Sequence, residues 1–220
     1  MNLALFDLDN TLLAGDSDFA WGQFLITKNA VDPTLHDARH REFFADYNAG
    51  KLDMAAFLEF QLAPLAQFPR SQLDAWRKEY LSRIVRPMVT EAGRDRVRRH
   101  LANGDLVALV TATNAFVTAP IAREFGIHHL IATVPAQENG AFTGKVRGQP
   151  SFQHGKITRV EAWLESFALN LDSFAQSWFY SDSHNDLPLL ERVTHPVAID
   201  PDEILKAHAL AHGWALSSFR

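Results

Sequence analysis

Two aspartates, Asp7 and Asp9, stand at the end of the apolar run Leu3-Ala4-Leu5-Phe6, spaced i, i+2, with the turn-former Asn10 behind them. A short continuous apolar run reads as a strand buried on both faces. An unpaired carboxylate resists burial, so two of them at the end of such a strand need a counter-charge. A hard cation with oxygen ligands, beside a reacting group at the carboxyl end of a parallel sheet, would meet that need. The plainer alternative is that the pair caps a turn. Three further stretches carry matching chemistry. Thr111 ends the apolar run Leu106–Val110, and Lys156 follows His154-Gly155 just ahead of a helical stripe. Ser181-Asp182-Ser183-His184-Asn185-Asp186 ends the strand-like Ser177-Trp178-Phe179-Tyr180. Four carboxylates, a hydroxyl and one ammonium suit a magnesium ion plus a phosphate group.

These groups meet only if the chain folds as alternating strands and helices. Strands are predicted near 3–6, 106–110, 130–132, 177–180, 196–199 and 214–216, with helices near 88–102, 160–171 and 202–211 between them. That alternation indicates a doubly wound parallel sheet, whose carboxyl ends converge on one crevice. Glu138-Asn139-Gly140-Ala141-Phe142-Thr143-Gly144 reads as a hairpin. Residues 16–86 differ in texture. Trp21/Phe24/Leu25, Phe43/Phe44/Tyr47, Met54/Phe57/Leu58/Leu62 and Leu73/Trp76/Tyr80/Leu81/Ile84 recur at helical spacing, with breaks at Asp32-Pro33, Asn48-Ala49-Gly50, Pro64 and Phe68-Pro69. This predicts four helices with no strand, and the aromatic stripes read as the core of that bundle.

Composition excludes several classes. A chain of 220 residues with 47% hydrophobic and 21% charged residues can bury a full core. The formal net charge of −5 speaks against a nucleic-acid partner, which would call for a basic face. The absence of cysteine rules out disulfides and thiolate chemistry. No apolar run reaches membrane-spanning length and no secretory pattern opens the chain, so a cytoplasmic protein is expected. Monomer and homodimer are both compatible with the sequence. The pairs His36/His40, His208/His212 and His128/His129 lack the carboxylates that would complete a zinc site and read as surface histidines. The helix with Arg94, Arg96, Arg98 and Arg99 is interleaved with Glu91 and Asp95, as on a solvated face.

In chain order, Asp7-Leu8-Asp9-Asn10-Thr11, the strand-ending Thr111, Lys156 and Asp182-Ser183-His184-Asn185-Asp186 resemble the four motifs of the haloacid dehalogenase superfamily. The helical insertion after the first motif, and the Thr-Gly hairpin ahead of the lysine, resemble its phosphoserine-phosphatase-like branch. The resemblance implies an α/β, Rossmann-like core of residues 1–15 and 87–220 with an inserted helical cap of residues 16–86. It implies Asp7 as the nucleophile of an aspartyl-phosphate route and Asp9 as general acid and base. A magnesium ion would be held by Asp7, Asp9 through its backbone carbonyl, and Asp182, with Asp186 in support. Thr111, its neighbour Ala112 and Lys156 would bind phosphate oxygens.

The cap would read the leaving group, hinged near Ala14-Gly15 and Arg86-Pro87. Asp16 stands where phosphoserine phosphatases carry a glutamate facing the substrate amine, and Asp18 adds a second acid. Asp16 is equally readable as a helix cap. Arg39, Arg41, Arg70 and Arg77 are the candidates for holding a substrate carboxylate, and His184 for lining the crevice. The expected activity is magnesium-dependent hydrolysis of a small, amine-bearing phosphomonoester such as phosphoserine or histidinol phosphate. A phosphotransferase or mutase, and a catalytically silent binding module, are the alternatives. The presence of both Asp7 and Asp9 argues against the last.

Overall fold

The computed structural model describes residues 1–220. Its centre is β1 (Leu3–Phe6), all four residues of which are fully buried. The side chains alternate, Leu3 and Leu5 to one face of a sheet and Ala4 and Phe6 to the other, so one strand nucleates two apolar layers. Burying each such large side chain contributes about 1.5–3 kcal/mol, which explains why the run carries no polar residue.

After β1 the chain first builds four helices: α1 (Ser17–Thr27), α2 (Pro33–Asn48), α3 (Met54–Gln67) and α4 (Arg70–Tyr80). The side chains of Asp16, Asp32 and Asp53 accept backbone N–H groups at the starts of α1, α2 and α3, which fixes where each begins. The helical path continues beyond α4 through Leu81–Val85 and Arg86–Met88. Arg86-Pro87 is therefore helical, because proline fits the first turn of a helix, and the extended return falls at Val89-Thr90 instead. There Ala14 N–H donates to the Met88 carbonyl at 2.7 Å, and Leu13 bridges Val89.

The remaining chain alternates as expected. It runs α5 (Glu91–Ala102), β2 (Leu106–Asn114), α6 (Ala115–Glu124), β3 (His129–Thr133), the antiparallel hairpin β4 (Pro135–Glu138) and β5 (Ala141–Val146), and α7 (His154–Glu165). Then follow β6 (Ser177–Ser181), the short α8 (Leu187–Leu190), β7 (His195–Ile199), α9 (Glu203–His212) and β8 (Ala215–Ser217). Six strands pair in parallel in the order β3-β2-β1-β6-β7-β8. The chain winds from β1 outward through β2 and β3, then returns to β6 on the other side. The crevice beyond β1 is thus the switch point of the sheet. A buried tie holds β6 in register: Tyr180 hydroxyl to His100 Nε2 at 2.8 Å, and His100 Nδ1 to Asp105 at 2.7 Å.

Two expectations need correction here. The stripe Val160–Leu171 is not one helix: α7 stops at Glu165, Ala168 turns with φ +58°, and Leu171 reaches the same apolar layer from a 3₁₀ turn. A turn that returns to the same face mimics the helical period. His36 is buried against Phe60 and over Gly22, rather than on the surface. The glycine at 22 leaves room for its ring.

Candidate active site

Register carries the candidate site residues to one place. Phe6 pairs with Leu109 of β2 and Tyr180 of β6, so Asp7, Thr111 and Ser181-Asp182 all emerge at the same sheet end. Asn10 turns the chain with φ +57°, a conformation asparagine tolerates better than most residues. The turn aims Asp9 between the start of α1 and the tail of β2. Its Oδ1 accepts from Ser17 N–H at 2.6 Å, and its Oδ2 from the Thr113 hydroxyl at 2.8 Å. Lys156 arrives from the first turn of α7. A Cβ on Gly155 would stand only 2.2 Å from the Pro150 carbonyl oxygen, so the preceding turn closes only around glycine.

Lys156 is almost wholly buried, and its Nζ donates to Asp7 Oδ1 and Asp186 Oδ2, each at 2.7 Å. Burial alone would lower its pKa, but Asp186 and Asp7 outweigh it and hold the ammonium charged. The conflict between a lysine and the positive end of a helix is settled by these two carboxylates. Asp186 also accepts from the Ser181 hydroxyl at 2.7 Å. Thr11 reaches both Asp7 Oδ2 (3.4 Å) and Asp182 Oδ1 (3.3 Å). Burial is the main cause that pushes Asp7 up to about 7, with Lys156 opposing it and Asp186 and Asp9 reinforcing it. Burial and the nearby Asp16 push Asp9 up to about 6, against the hydrogen bonds from Ser17 and Thr113. Asp182 is raised too, by burial and then by Asp7 and Asp186. One lysine is too little positive charge for this set.

The donor chemistry fits a magnesium ion. Asp7 and Asp182 are joined only through the long Thr11 contacts, so both keep oxygen lone pairs for a hard cation. Asp186 is engaged by Lys156 and Ser181, and the Asp9 carboxylate by Ser17 and Thr113, which leaves Asp9 its backbone carbonyl for that purpose. No three of these acids close into a cage by themselves. An ion here would keep waters and take a substrate oxygen, as magnesium does.

These groups floor a cleft of about 120 Å³. Asp7, Asp9, Asp16, Thr111, Ala112, Lys156, Asp182 and Asp186 all line it. Its other wall comes from the helices, with Asp18, His40, Phe43, Phe44, Tyr47, Met54 and Phe57, and from Leu52 and Phe152 in loops. The aromatic stripes therefore divide. Trp21, Phe24, Leu58, Leu62 and Tyr80 form core, while Phe43, Phe44, Tyr47 and Phe57 face the cleft on at least one side. Helical period marks an apolar face but not what lies against it.

Asp16 caps α1, with Oδ1 accepting from Asp18 N–H (2.8 Å) and Phe19 N–H (2.9 Å), and also borders the cleft. His184 is turned away from the cleft, its Nδ1 paired with Asp202 at 2.8 Å. None of the four candidate arginines reaches the cleft. Arg39 pairs with Glu42, Arg70 with Asp74, and Arg77 with Asp74 and the Phe116 carbonyl.

Several contacts here escaped sequence reading. Thr113 holds Asp9, and Ser181 holds Asp186. Tyr47 joins the helices to the fourth motif, through its hydroxyl to Ser183 Oγ (2.9 Å) and its carbonyl to Asn185 Nδ2 (3.3 Å). Gln153 sits at φ +46°, unusual outside glycine, and its side chain bonds Asn185 at 2.9 Å. Only the polar tail of the Leu106–Val110 run hinted at Thr113.

A family model for haloacid dehalogenase-like hydrolases matches residues 4–191. The chain belongs to that family. A histidinol-phosphatase of Neisseria meningitidis is 41% identical over 220 residues, covering 100% of this chain and 99% of the relative. A phosphoserine phosphatase of Mycobacterium tuberculosis is 31% identical, over 99% of this chain and 70% of its own length. A solved structure of a protein of unknown function from Bordetella pertussis Tohama I superposes with TM-score 0.94 at 49% identity, covering 100% of this chain and 99% of that one. A substrate-bound phosphoserine phosphatase shares the fold with TM-score 0.70 at 18% identity, over 100% and 93% of the two chains. The haloacid dehalogenase-like hydrolase is thus an enzyme of the phosphatase type, with the parallel-sheet fold of that group. No helix is long and apolar enough to cross a membrane.

Proposed function

We propose that this enzyme hydrolyses a small amine-bearing phosphomonoester with a flat heteroaromatic side chain, histidinol phosphate in preference to phosphoserine. The observation that carries the choice is the charge of the leaving-group wall. Phosphoserine brings a carboxylate, and the cleft offers it no arginine. The one lysine there, Lys156, already serves Asp7 and Asp186. Histidinol phosphate brings an ammonium and an imidazole, which suit acids beside an aromatic wall. The 41% identity to a histidinol-phosphatase over the whole chain supports the same reading.

In this reading residues 16–86 are a cap that closes over bound substrate and excludes bulk water. Asp7 attacks phosphorus, the P–O ester bond breaks, and Asp9 gives the departing alkoxide its proton. Asp9 then takes a proton from water. The water oxygen attacks the phosphorus of the aspartyl-phosphate, its P–O bond to Asp7 breaks, and inorganic phosphate leaves. A pKa near 6 suits Asp9 to both proton transfers at neutral pH. Its partner Thr113 can reverse the sense of their hydrogen bond, since a hydroxyl both donates and accepts. Lys156 restrains Asp7 in its ionised form, and Thr111 and the Ala112 backbone border the phosphate position. Magnesium, held by Asp7, Asp182 and the Asp9 carbonyl with Asp186 in support, would offset the charge between phosphate and carboxylates.

The test is a panel of phosphorylated metabolites ranked by kcat/KM with magnesium, before and after exhaustive chelation. Amine-bearing heteroaromatic esters at the head of the ranking, with activity lost on chelation, are expected. Full activity after chelation would sink the mechanism. A carboxylate-bearing ester at the head would sink the substrate assignment.

A further inference from the structure

Asp18 is a carboxylate without a purpose in the fold. It sits in the first turn of α1, is only 7% exposed, and its Oδ1 has no hydrogen-bond partner. It lines the cleft. Burial, then Asp16 and Asp9, push its carboxyl well above the usual range. A buried acid with no partner lowers stability, so its presence facing a cleft calls for a ligand that compensates it. Asp16 differs, because its Oδ1 is already committed to two backbone N–H groups. A second orphan lines the same cleft: His40, whose Nδ1 is buried without a partner. His40 itself is held by Phe19 at 4.5 Å and Phe44 at 6.5 Å between ring centres.

The geometry points to Asp18, and not Asp16, as the acceptor of the substrate's ammonium group, with His40 as the polar partner of its heteroaromatic ring. This rests on the amine-bearing phosphomonoester reading above. Chain adjacency places the two ends correctly. Asp9, which would hand its proton to the ester oxygen, is bonded to the amide of Ser17, the residue before Asp18. In an amino-alcohol phosphate the amine lies on the second carbon from that oxygen. An ammonium there meets the Asp18 carboxylate as the ester oxygen meets Asp9. The aromatic wall then receives the ring, where the unpaired His40 nitrogen can exchange a hydrogen bond with a ring nitrogen. A free amine or an aryl phosphate would satisfy only one end of this arrangement.

The experiment compares three esters on the magnesium-loaded enzyme: histidinol phosphate, its des-amino analogue with the same imidazole and chain, and p-nitrophenyl phosphate. Wild type should favour the first over the second. Asp18→Asn should lower kcat/KM for histidinol phosphate about 10- to 100-fold more than for either other ester, since a charge-assisted hydrogen bond is at stake. Asp18→Ser should do the same, which covers failure of the first variant to fold. Asp16→Asn should leave the preference for the amine standing, and His40→Phe should narrow the preference for imidazole over p-nitrophenyl. A uniform loss on all three esters in the Asp18 variants would overturn the inference and leave the substrate reading intact. Indifference of the wild-type enzyme to the amine would overturn both. Melting temperature separates a scaffold role, which predicts a drop, from the ligand role, which predicts an equal or higher value once the buried, unpartnered carboxyl is replaced.

Discussion

The two ends of the cleft are built differently. At the sheet end every acid that would handle phosphate has a protein partner: Asp7 and Asp186 share Lys156, Asp9 is held by Ser17 and Thr113, and Ser181 braces Asp186. At the helical end two cleft-lining residues keep a buried polar atom without a partner, Asp18 Oδ1 and His40 Nδ1, beside a wall of Phe43, Phe44, Tyr47 and Phe57. The contrast separates two jobs. Chemistry common to a family wants groups fixed before substrate arrives, because preorganised dipoles need no rearrangement in the transition state. Selection of one leaving group wants groups that only that ligand completes, since an unmatched buried polar atom penalises every other ligand.

The sharpest way to break the contrast is to disable the fixed end. Asp7→Asn should abolish turnover on every phosphomonoester while the protein stays folded, because it removes the nucleophile yet also relieves a buried carboxylate whose pKa is pushed up to about 7. Steady-state assays beside a thermal melt check both halves, and a near-normal rate would demand another nucleophile. Asp9→Asn should follow, with a loss of roughly 10²–10⁴-fold from removal of the general acid and base. That loss should fall most lightly on p-nitrophenyl phosphate, whose leaving group needs little protonation.

Lys156→Met comes next, and here stability is the readout. Two buried carboxylates would lose their shared cation, and breaking a buried pair in this way costs about 3–5 kcal/mol. Urea denaturation near pH 7.5 should show that loss, and magnesium should recover part of it. An unchanged midpoint would mean that the pair is solvated in solution.

A pH series sharpens the same end. Asp7 and Asp9 titrate near 7 and 6 in the folded chain, against an ordinary value of 3.8. Between about pH 4 and 7 the folded chain therefore holds more protons than the unfolded one, and stability falls as pH rises through that window. The metal-free enzyme should melt at a higher temperature at pH 5 than at pH 8, and magnesium should raise the value most at pH 8. A flat profile that ignores magnesium would contradict the placement of these acids.

Asp16 carries the smallest effect. As a helix cap with two N–H donors, its loss to alanine should lower stability by about 0.5–2 kcal/mol, while asparagine should change little. Substrate preference should move far less than in the Asp18 variants.

Much of the sheet end was legible in the chain. Apolar runs that stop abruptly at acids or hydroxyls mark buried parallel strands, and the order of Asp7, Thr111, Lys156 and Asp182 fixed which strand ends had to meet. The helical end was less legible for a physical reason. Phe43, Phe57 and Tyr47 show the same spacing whether they face a core or a cleft, and only the packed structure tells which. Asp18 beside Asp16 looked like one more acid at a helix start. Its difference lies in burial and in what fails to touch it, and spacing encodes neither. His184, inside the strongest motif, does not line the cleft and is paired instead with Asp202. The end of α7 at Glu165 was masked by Leu171 returning to the same apolar layer.

The comparison of kcat/KM for histidinol phosphate and phosphoserine, on one preparation of wild-type enzyme with magnesium, tests the whole account most directly. A cleft with two open polar atoms, an aromatic wall and no arginine predicts at least a tenfold advantage for histidinol phosphate, the effect of about one hydrogen bond or more to a charged group. Equal efficiencies, or an advantage for phosphoserine, would contradict it.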